Sequence, residues 1–309
     1  MDNIFCKICN LENPDNKHFW NEHKITIKNY YEKHFPKNDL FNNLKIEFKG
    51  DVETYLSKNF VSRTTLLKWL KSVTKEEYTK YIKDYLIARK NNKNLIYSPC
   101  QVELKTLNQI PGMKWISDNI EDYYTFCGNL GFINRFKRYT FDESLFKDIS
   151  NKVIFADKRE QNELEFSLQT RHKSMTTGDY RVANSSIRIE RKSLNDVYST
   201  MSGGLERFLK EIERAKKENL YLIVLVESSF NNIYMFPKMR QFLNKKLPSP
   251  DFITHNIRSI LEKNNFVQFV FVKNREEAGK MVETLFSADE QCKEIDIQYI
   301  VDIKEQETL

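Results

Sequence analysis

The stretch TTGDYRVANSSIRIERKSLNDVYS, Thr176–Ser199, decides how the second half of the chain is read. Two short runs alternate apolar and polar residues on either side of Asn184 and Ser185, a small polar pair suited to a two-residue hairpin loop. In that register paired residue numbers sum to 369, so Asp179 faces Glu190. Side chains opposed in this way sit about 4.5–5.5 Å apart at Cβ, and like charges there repel unless a cation lies between them. The strand period of two puts Arg188, Glu190 and Lys192 on one face and Ile187, Ile189 and Arg191 on the other. Asp179, Glu190 and Lys192 then converge. Two hard carboxylate oxygens suit a divalent ion that keeps waters, and the ammonium suits a developing anion or an attacking water. The bland reading of the same residues is a pair of solvated strands.

Around this hairpin the chain alternates strand and helix from Lys152 onward. KVIFAD (152–157), LYLIVLVES (220–228) and FVQFVFV (266–272) read as strands. Leu220–Val226 and Phe266–Val272 are apolar almost throughout, as expected of central strands covered on both faces. Leu205, Phe208, Leu209, Ile212 and Ala215 form one helical stripe. A second helix opens at Ser249 with Pro250 at its first position, and a third at Asn274 with Glu277, ahead of Ala278, Met281, Val282 and Leu285. The expectation is a three-layer α/β domain with a mixed sheet.

The 309 residues suffice for two domains and a sizeable core. With 40% hydrophobic and 30% charged residues the chain reads as an ordinary globular protein, not a disordered one. Its net charge of +6 is uneven: residues 151–286 hold 23 basic against 17 acidic groups, and residues 287–309 hold 2 against 7. A basic body of this kind favours a polyanionic partner, DNA above all. MDNIFCKICN has no basic run before an apolar core, and no 18 apolar residues run together. The expectation is an intracellular protein of the cytoplasm, nucleoid or nucleus, with no membrane partner. Five cysteines, of which only Cys6 and Cys9 cluster, argue against a disulfide framework. Cys100, Cys127 and Cys292 read as small buried residues.

Residues 1–37 carry Cys6-x2-Cys9-x8-His18-x4-His23, a set that suits tetrahedral structural zinc, with His34 as a possible substitute for either His. Residues 38–149 read as mainly helical and basic. Thr74 and Glu77 form a capping box ahead of KEEYTKYIKDYL, and RTTLLKWLKS places Leu66, Leu67 and Leu70 at helical spacing. Trp69, between Lys68 and Lys71, could meet bases and phosphates, although a Trp among leucines is more often core. NQIPGMKW breaks the helical run, and Arg135, Lys137 and Arg138 lie beside aromatic residues.

Three motifs occur in order: Asp157-Lys158-Arg159-Glu160, Gly178-Asp179-Tyr180, and Glu190-Arg191-Lys192 followed by Asp196. This run resembles the nuclease domain of XPF-family structure-specific endonucleases, with their D-x-R-E, G-D-Y and E-R-K-x-x-x-D motifs, over roughly Val153 to Phe286. The resemblance implies a restriction-endonuclease-like fold and magnesium- or manganese-dependent phosphodiester hydrolysis. It makes Asp157, Asp179 and Glu190 metal ligands, Lys192 the catalytic lysine, and Arg159, Glu160 and Arg191 supporting residues. It also admits a homodimer through the nuclease domain. Likewise HKITIKNYYEKHFPK resembles the segment after the second His in Ros/MucR-type DNA-binding fingers.

Family members usually end in a tandem helix-hairpin-helix module, whereas 23 residues follow Phe286 here and form an acidic C-terminal tail over 289–309. No G-x-x-x-x-G-K motif of a helicase motor occurs. DNA engagement is therefore expected from the finger (1–37) and the helical region (38–149), and cleavage from residues 150–288. The alternative is a non-catalytic DNA-binding or scaffold protein. Within the nuclease reading, a site-specific homing or restriction-like enzyme and a branched-structure enzyme both stay open.

Overall fold

The computed structural model describes residues 6, 8–11, 16–25, 30, 75–107, 110–137, 146–239 and 247–307. The expected helix over 63–72, Trp69 with its flanking lysines, Thr74, the Glu77 side chain, Arg138 and His34 lie outside them. The chain divides into two compact units, residues 1–98 with 107–133 and residues 99–106 with 134–309.

In the first unit α1 (Asn16–His23) follows the cysteine pair, and α2 (Lys75–Lys93) buries Tyr81, Ile82, Tyr85 and Leu86 at helical spacing. Residues 99–106, which form α3 (Gln101–Thr106), belong to the second unit. The first unit resumes with α4 (Met113–Asn119) and α5 (Tyr123–Asn129), the latter N-capped by Asp122, whose carboxylate accepts the Thr125 amide. The described part of this region is helical, as expected from its periodicity.

The second unit is built on strands β1 (Ile154–Asp157), β2 (Thr170–Lys173), β3 (Tyr180–Val182) and β4 (Ile187–Lys192). Helices α6 (Leu194–Thr200) and α7 (Leu205–Lys217) lead to β5 (Tyr221–Val226). Then come α8 (Asn232–Met239), α9 (Pro250–Lys263), β6 (Val267–Phe271) and α10 (Arg275–Ala288). A 3-10 turn over Asp289–Glu294 and α11 (Ile297–Glu307) complete it. The sheet order is β2-β1-β3-β4-β5-β6; β1–β3 and β3–β4 pair antiparallel and the remaining pairs are parallel. This is the expected α/β architecture with a mixed sheet between helices.

One face of the sheet is the main core. Ile154, Ala156, Tyr180, Val182, Ile187 and Ile189 point into it and meet Ala278, Val282, Leu285 and Phe286 of α10. Gly279 lets α10 press against the chain before β2, since a Cβ there would stand 2.5 Å from the Glu165 carbonyl oxygen. On the other face α7 packs on β5, with its Phe208 ring edge-on to Phe269 of β6. The helix starts follow the sequence: the Ser249 hydroxyl accepts the Phe252 amide with Pro250 next in line, and the Asn274 side chain accepts the Glu277 amide.

The acidic end of the chain is folded. Ile297, Ile300 and Val301 are buried, Asp296 accepts the Gln101 amide at 2.7 Å, and Asp302 accepts from the Gln101 side chain at 2.7 Å. Charge counting reads this segment as a tail because its acids outnumber its bases; apolar residues at helical spacing are what dock it. Strand β2, all but its first residue exposed, is absent from the sequence reading, because TRHK has neither apolar alternation nor a turn signal.

Candidate active site

The hairpin has the register expected from its sequence. Tyr180 pairs with Ile189 and the Asp179 amide donates to the Ile189 carbonyl at 2.8 Å, which sets Asp179 beside Glu190. The loop spans four residues between strand ends, and Asn184 turns it with φ of 59°. Gly178, with φ of 72°, lies two residues ahead of β3; a Cβ there would meet the Ile189 carbonyl oxygen at 3.1 Å. On the far side the Asp157 amide donates to the Asp179 carbonyl at 2.8 Å, so Asp157 ends β1 one strand away. Asp157, Asp179 and Glu190 therefore share one row across the sheet, on the face opposite the main core.

Their surroundings differ. Asp157 is saturated with donors: the Arg159 amide and Nε reach Oδ1 at 2.7 and 2.9 Å, and Arg159 Nη2 and the Met175 amide reach Oδ2 at 2.9 and 2.8 Å. Hydrogen bonding from the Arg159 side chain, above all, holds its pKa at about 2. Asp179 accepts the Arg191 amide at 2.8 Å on Oδ2 alone. Burial, then the neighbouring Glu190, pushes its pKa up to about 8. Burial also raises Glu190; Lys192 opposes that rise and the nearby carboxylate of Glu211 adds to it. Lys192, itself buried, donates to Glu190 Oε1 at 2.8 Å and lies 5.0 Å from the centroid of the Phe208 ring.

Arg191, on the core side of β4, is a brace. Its guanidinium donates to both Glu160 oxygens at 3.3 and 3.2 Å and to Glu227 at 2.9 Å. Burial works against its charge, and the two carboxylates more than offset that. The row opens into two adjoining hollows of about 460 and 860 Å³, both lined by Asp179, Glu190, Lys192, Arg159, Glu160 and Arg207.

One contributor escaped the sequence reading. Glu211 of α7 accepts the Gly178 amide at 3.2 Å and stands beside Glu190; with Arg207 and Arg214 it follows the i, i+4, i+7 spacing of one helix face toward the cleft. The signal was there, one turn beyond Phe208. Asp196, the last residue of the third motif, works as a helix cap: the Ser193 hydroxyl accepts its amide at 3.2 Å while its carboxylate accepts the Ser193 amide at 3.1 Å.

In the first unit Cys6, Cys9, His18 and His23 offer four ligand atoms within 4.8 Å of one another. Among the described residues this is the only such group of three or more potential ligands. Cys6 Sγ–His23 Nε2 and Cys9 Sγ–His18 Nε2 are both 3.4 Å, and the two His Nε2 atoms are 3.1 Å apart. Tetrahedral zinc with bonds of about 2.3 Å to sulfur and 2.0–2.1 Å to nitrogen requires separations close to these, so the donor set fits. The Asn10 amide closes the cysteine knuckle on the Cys6 carbonyl at 2.8 Å. Cys100, Cys127 and Cys292 are free and buried, as expected.

No family model matches the sequence, and neither does any curated protein. Among solved structures the chain is similar to XPF from Aeropyrum pernix in complex with DNA, at 16% identity and a TM-score of 0.33, over 43% of this chain and 62% of that one. It is also similar to XPF from Aeropyrum pernix, at 18% identity and 0.32, over 43% and 59%. The chain thus spans about three fifths of the structures it matches. Among the described residues no helix is long and apolar enough to cross a membrane.

Proposed function

We propose that this chain is a metal-dependent DNA endonuclease whose reaction takes place over the row formed by Asp157, Asp179 and Glu190. The observation that carries the reading is the pairing of two carboxylates, raised in pKa, on adjacent strands of an open cleft with Lys192 bonded to one of them. Protein interiors rarely keep such a pair without a cation or a proton to share. Its motifs resemble those of XPF-family nucleases, which points the same way.

The donor set suits a hard divalent ion. Asp179 Oδ1 accepts no hydrogen bond among the described residues, and Glu190 keeps one oxygen clear of Lys192. Asp157 in its present hydrogen bonding has no oxygen to spare; it joins the pair when the Arg159 guanidinium, 77% exposed, swings away. Magnesium or manganese bound here would lower the pKa of an attacking water and offset charge on the phosphate. Lys192, fixed by Glu190 and the Phe208 ring, holds a cation where negative charge grows. Arg191 and Glu160 keep β4 and the turn after β1 at a fixed spacing.

In this reading residues 150–288 cleave, the finger (1–37) carries structural zinc, and the finger with the helical region (38–149) engages DNA. The deciding experiment incubates purified full-length chain with magnesium and with calcium against supercoiled plasmid, linear duplex, flap, fork, hairpin and single-stranded DNA. Nicking with magnesium that Asp179→Ala abolishes supports the proposal, and the preferred substrate separates site-specific from branched-structure cleavage. DNA binding with no cleavage of any substrate would select the non-catalytic alternative.

A further inference from the structure

The same sheet face carries a second row, one step along each strand from the carboxylates, and it is basic. Register pairs Arg171 of β2 with Phe155 of β1 and Phe155 with Arg181 of β3. The Tyr180–Ile189 pair places Arg181 next to Arg188 of β4. The row is thus Arg171, Phe155, Arg181, Arg188, parallel to Lys173, Asp157, Asp179, Glu190.

The three guanidiniums line this face. Arg181 lies 5.1 Å from the centroid of the Phe155 ring, a platform that holds the cation without neutralising it. Arg188 Nη1 donates to the carbonyls of Ser185 and Ile187 at 2.8 and 2.9 Å, so the hairpin loop fixes its direction. Arg171 is exposed at the sheet edge. Among the described residues none of the three forms an ion pair. The carboxylate that acts on Arg188 is Glu218, while burial first, and the neighbouring Arg181 next, lower its pKa. Like charges held side by side in this way are an anion site waiting for its anion.

We propose that Arg171, Arg181 and Arg188 form a phosphate-backbone site that holds the DNA strand being cut, on the side of the carboxylate row away from Lys192. This rests on the nuclease reading above and deepens it. The spacing agrees: residues i and i+2 of a strand are about 6.8 Å apart, close to the separation of neighbouring phosphates along one strand, which exceeds the axial rise of about 3.4 Å because the backbone winds round the helix. The charge logic agrees as well. Carboxylates that are to hold a metal repel a polyanion, and a cationic row beside them offsets that repulsion and sets which phosphate comes to rest over them.

The test uses full-length protein, the triple variant Arg171→Gln/Arg181→Gln/Arg188→Gln and, as a mild control of folding, Arg171→Gln alone. Binding of a labelled duplex oligonucleotide is titrated in calcium at several salt concentrations. We expect the slope of log Kd against log salt to become shallower by about 2.7 in the triple variant and about 0.9 in the single one. A neutral methylphosphonate placed one or two phosphates from the cleaved bond should weaken wild type and leave the triple variant unaffected. Unchanged slopes in a variant with wild-type circular dichroism would overturn the proposal. Wild type that binds but never cuts removes the nuclease reading while the slopes still decide this one; wild type that does not bind removes both.

Discussion

Replacing Asp179 by Asn should separate the stability of the cleft from its chemistry. Burial and then Glu190 hold the Asp179 carboxyl at about 8, against an ordinary 3.8. Between those values the folded chain keeps a proton that the unfolded chain has released, so folding stability falls as pH rises from about 4 to about 8. Four units at about 1.4 kcal/mol each set a ceiling of about 6 kcal/mol on the cost of ionising Asp179 in place. Water entering the open cleft lowers that cost, and the Asn variant is expected to be more stable than wild type by ~2 kcal/mol at pH 8 and nearly equal to it at pH 4. A whole-chain unfolding signal will not isolate the second unit. Hydrogen-exchange protection of β5 and β6 amides in urea, with chelator present and referenced to unstructured peptide rates, will. Magnesium should then protect wild type and not the variant. The reasoning fails if the variant is no more protected at pH 8, or if its advantage is the same at pH 5.

Lys192→Ala should keep DNA affinity while single-turnover cleavage falls by roughly 10²–10³, the scale of losing one preorganised charge; a near wild-type rate would remove Lys192 from the chemistry. Freshly purified protein should contain one zinc per chain, and Cys9→Ser should lose it together with α1 helicity, as metal analysis and circular dichroism would report. Arg135→Met should cost ~3–5 kcal/mol, because Glu103, bonded to Arg135 at 3.1 Å, is left as an unpaired buried charge; a cost below ~1 kcal/mol in the same exchange assay would contradict this.

What could be read from the sequence was what local physics writes into it. The Asn184 turn and the alternation around it fixed the 369 register, and with it the neighbours of Asp179 and Glu190. Ser249 and Asn274 marked helix starts because a cap needs one side chain and one amide three residues on. The apolar runs of β5 and β6 marked strands covered on both faces; β5 is central as expected, whereas β6, equally buried, is the edge of the sheet. Features that depend on contacts distant in sequence were not legible. Glu211 matters only because α7 crosses Gly178, and the Arg159 clamp on Asp157 needs the Met175 loop to complete it. Strand β2 forms because β1 offers it an edge, since nothing in TRHK asks for a strand. The basic row was hidden for the same reason: Arg171, Arg181 and Arg188 are separated in sequence and meet only through strand pairing.

The placement of α3 in the second unit changes what a stand-alone fragment of that unit would have to contain. Residues 99–106 precede the first strand by nearly fifty positions, yet α3 buries Val102 and Leu104, packs on α9 and α11, and caps a buried carboxylate. Its last residue, Thr106, accepts from Arg258 through both its carbonyl and its hydroxyl. A gene cut at residue 150 would discard α3 whole, removing the Gln101 amide from Asp296 and the Thr106 acceptors from Arg258, and would open an apolar groove to water. The minimal second unit is therefore discontinuous: a fragment that folds must carry α3 in front of it, joined by the first unit's own second half or by a designed linker in its place.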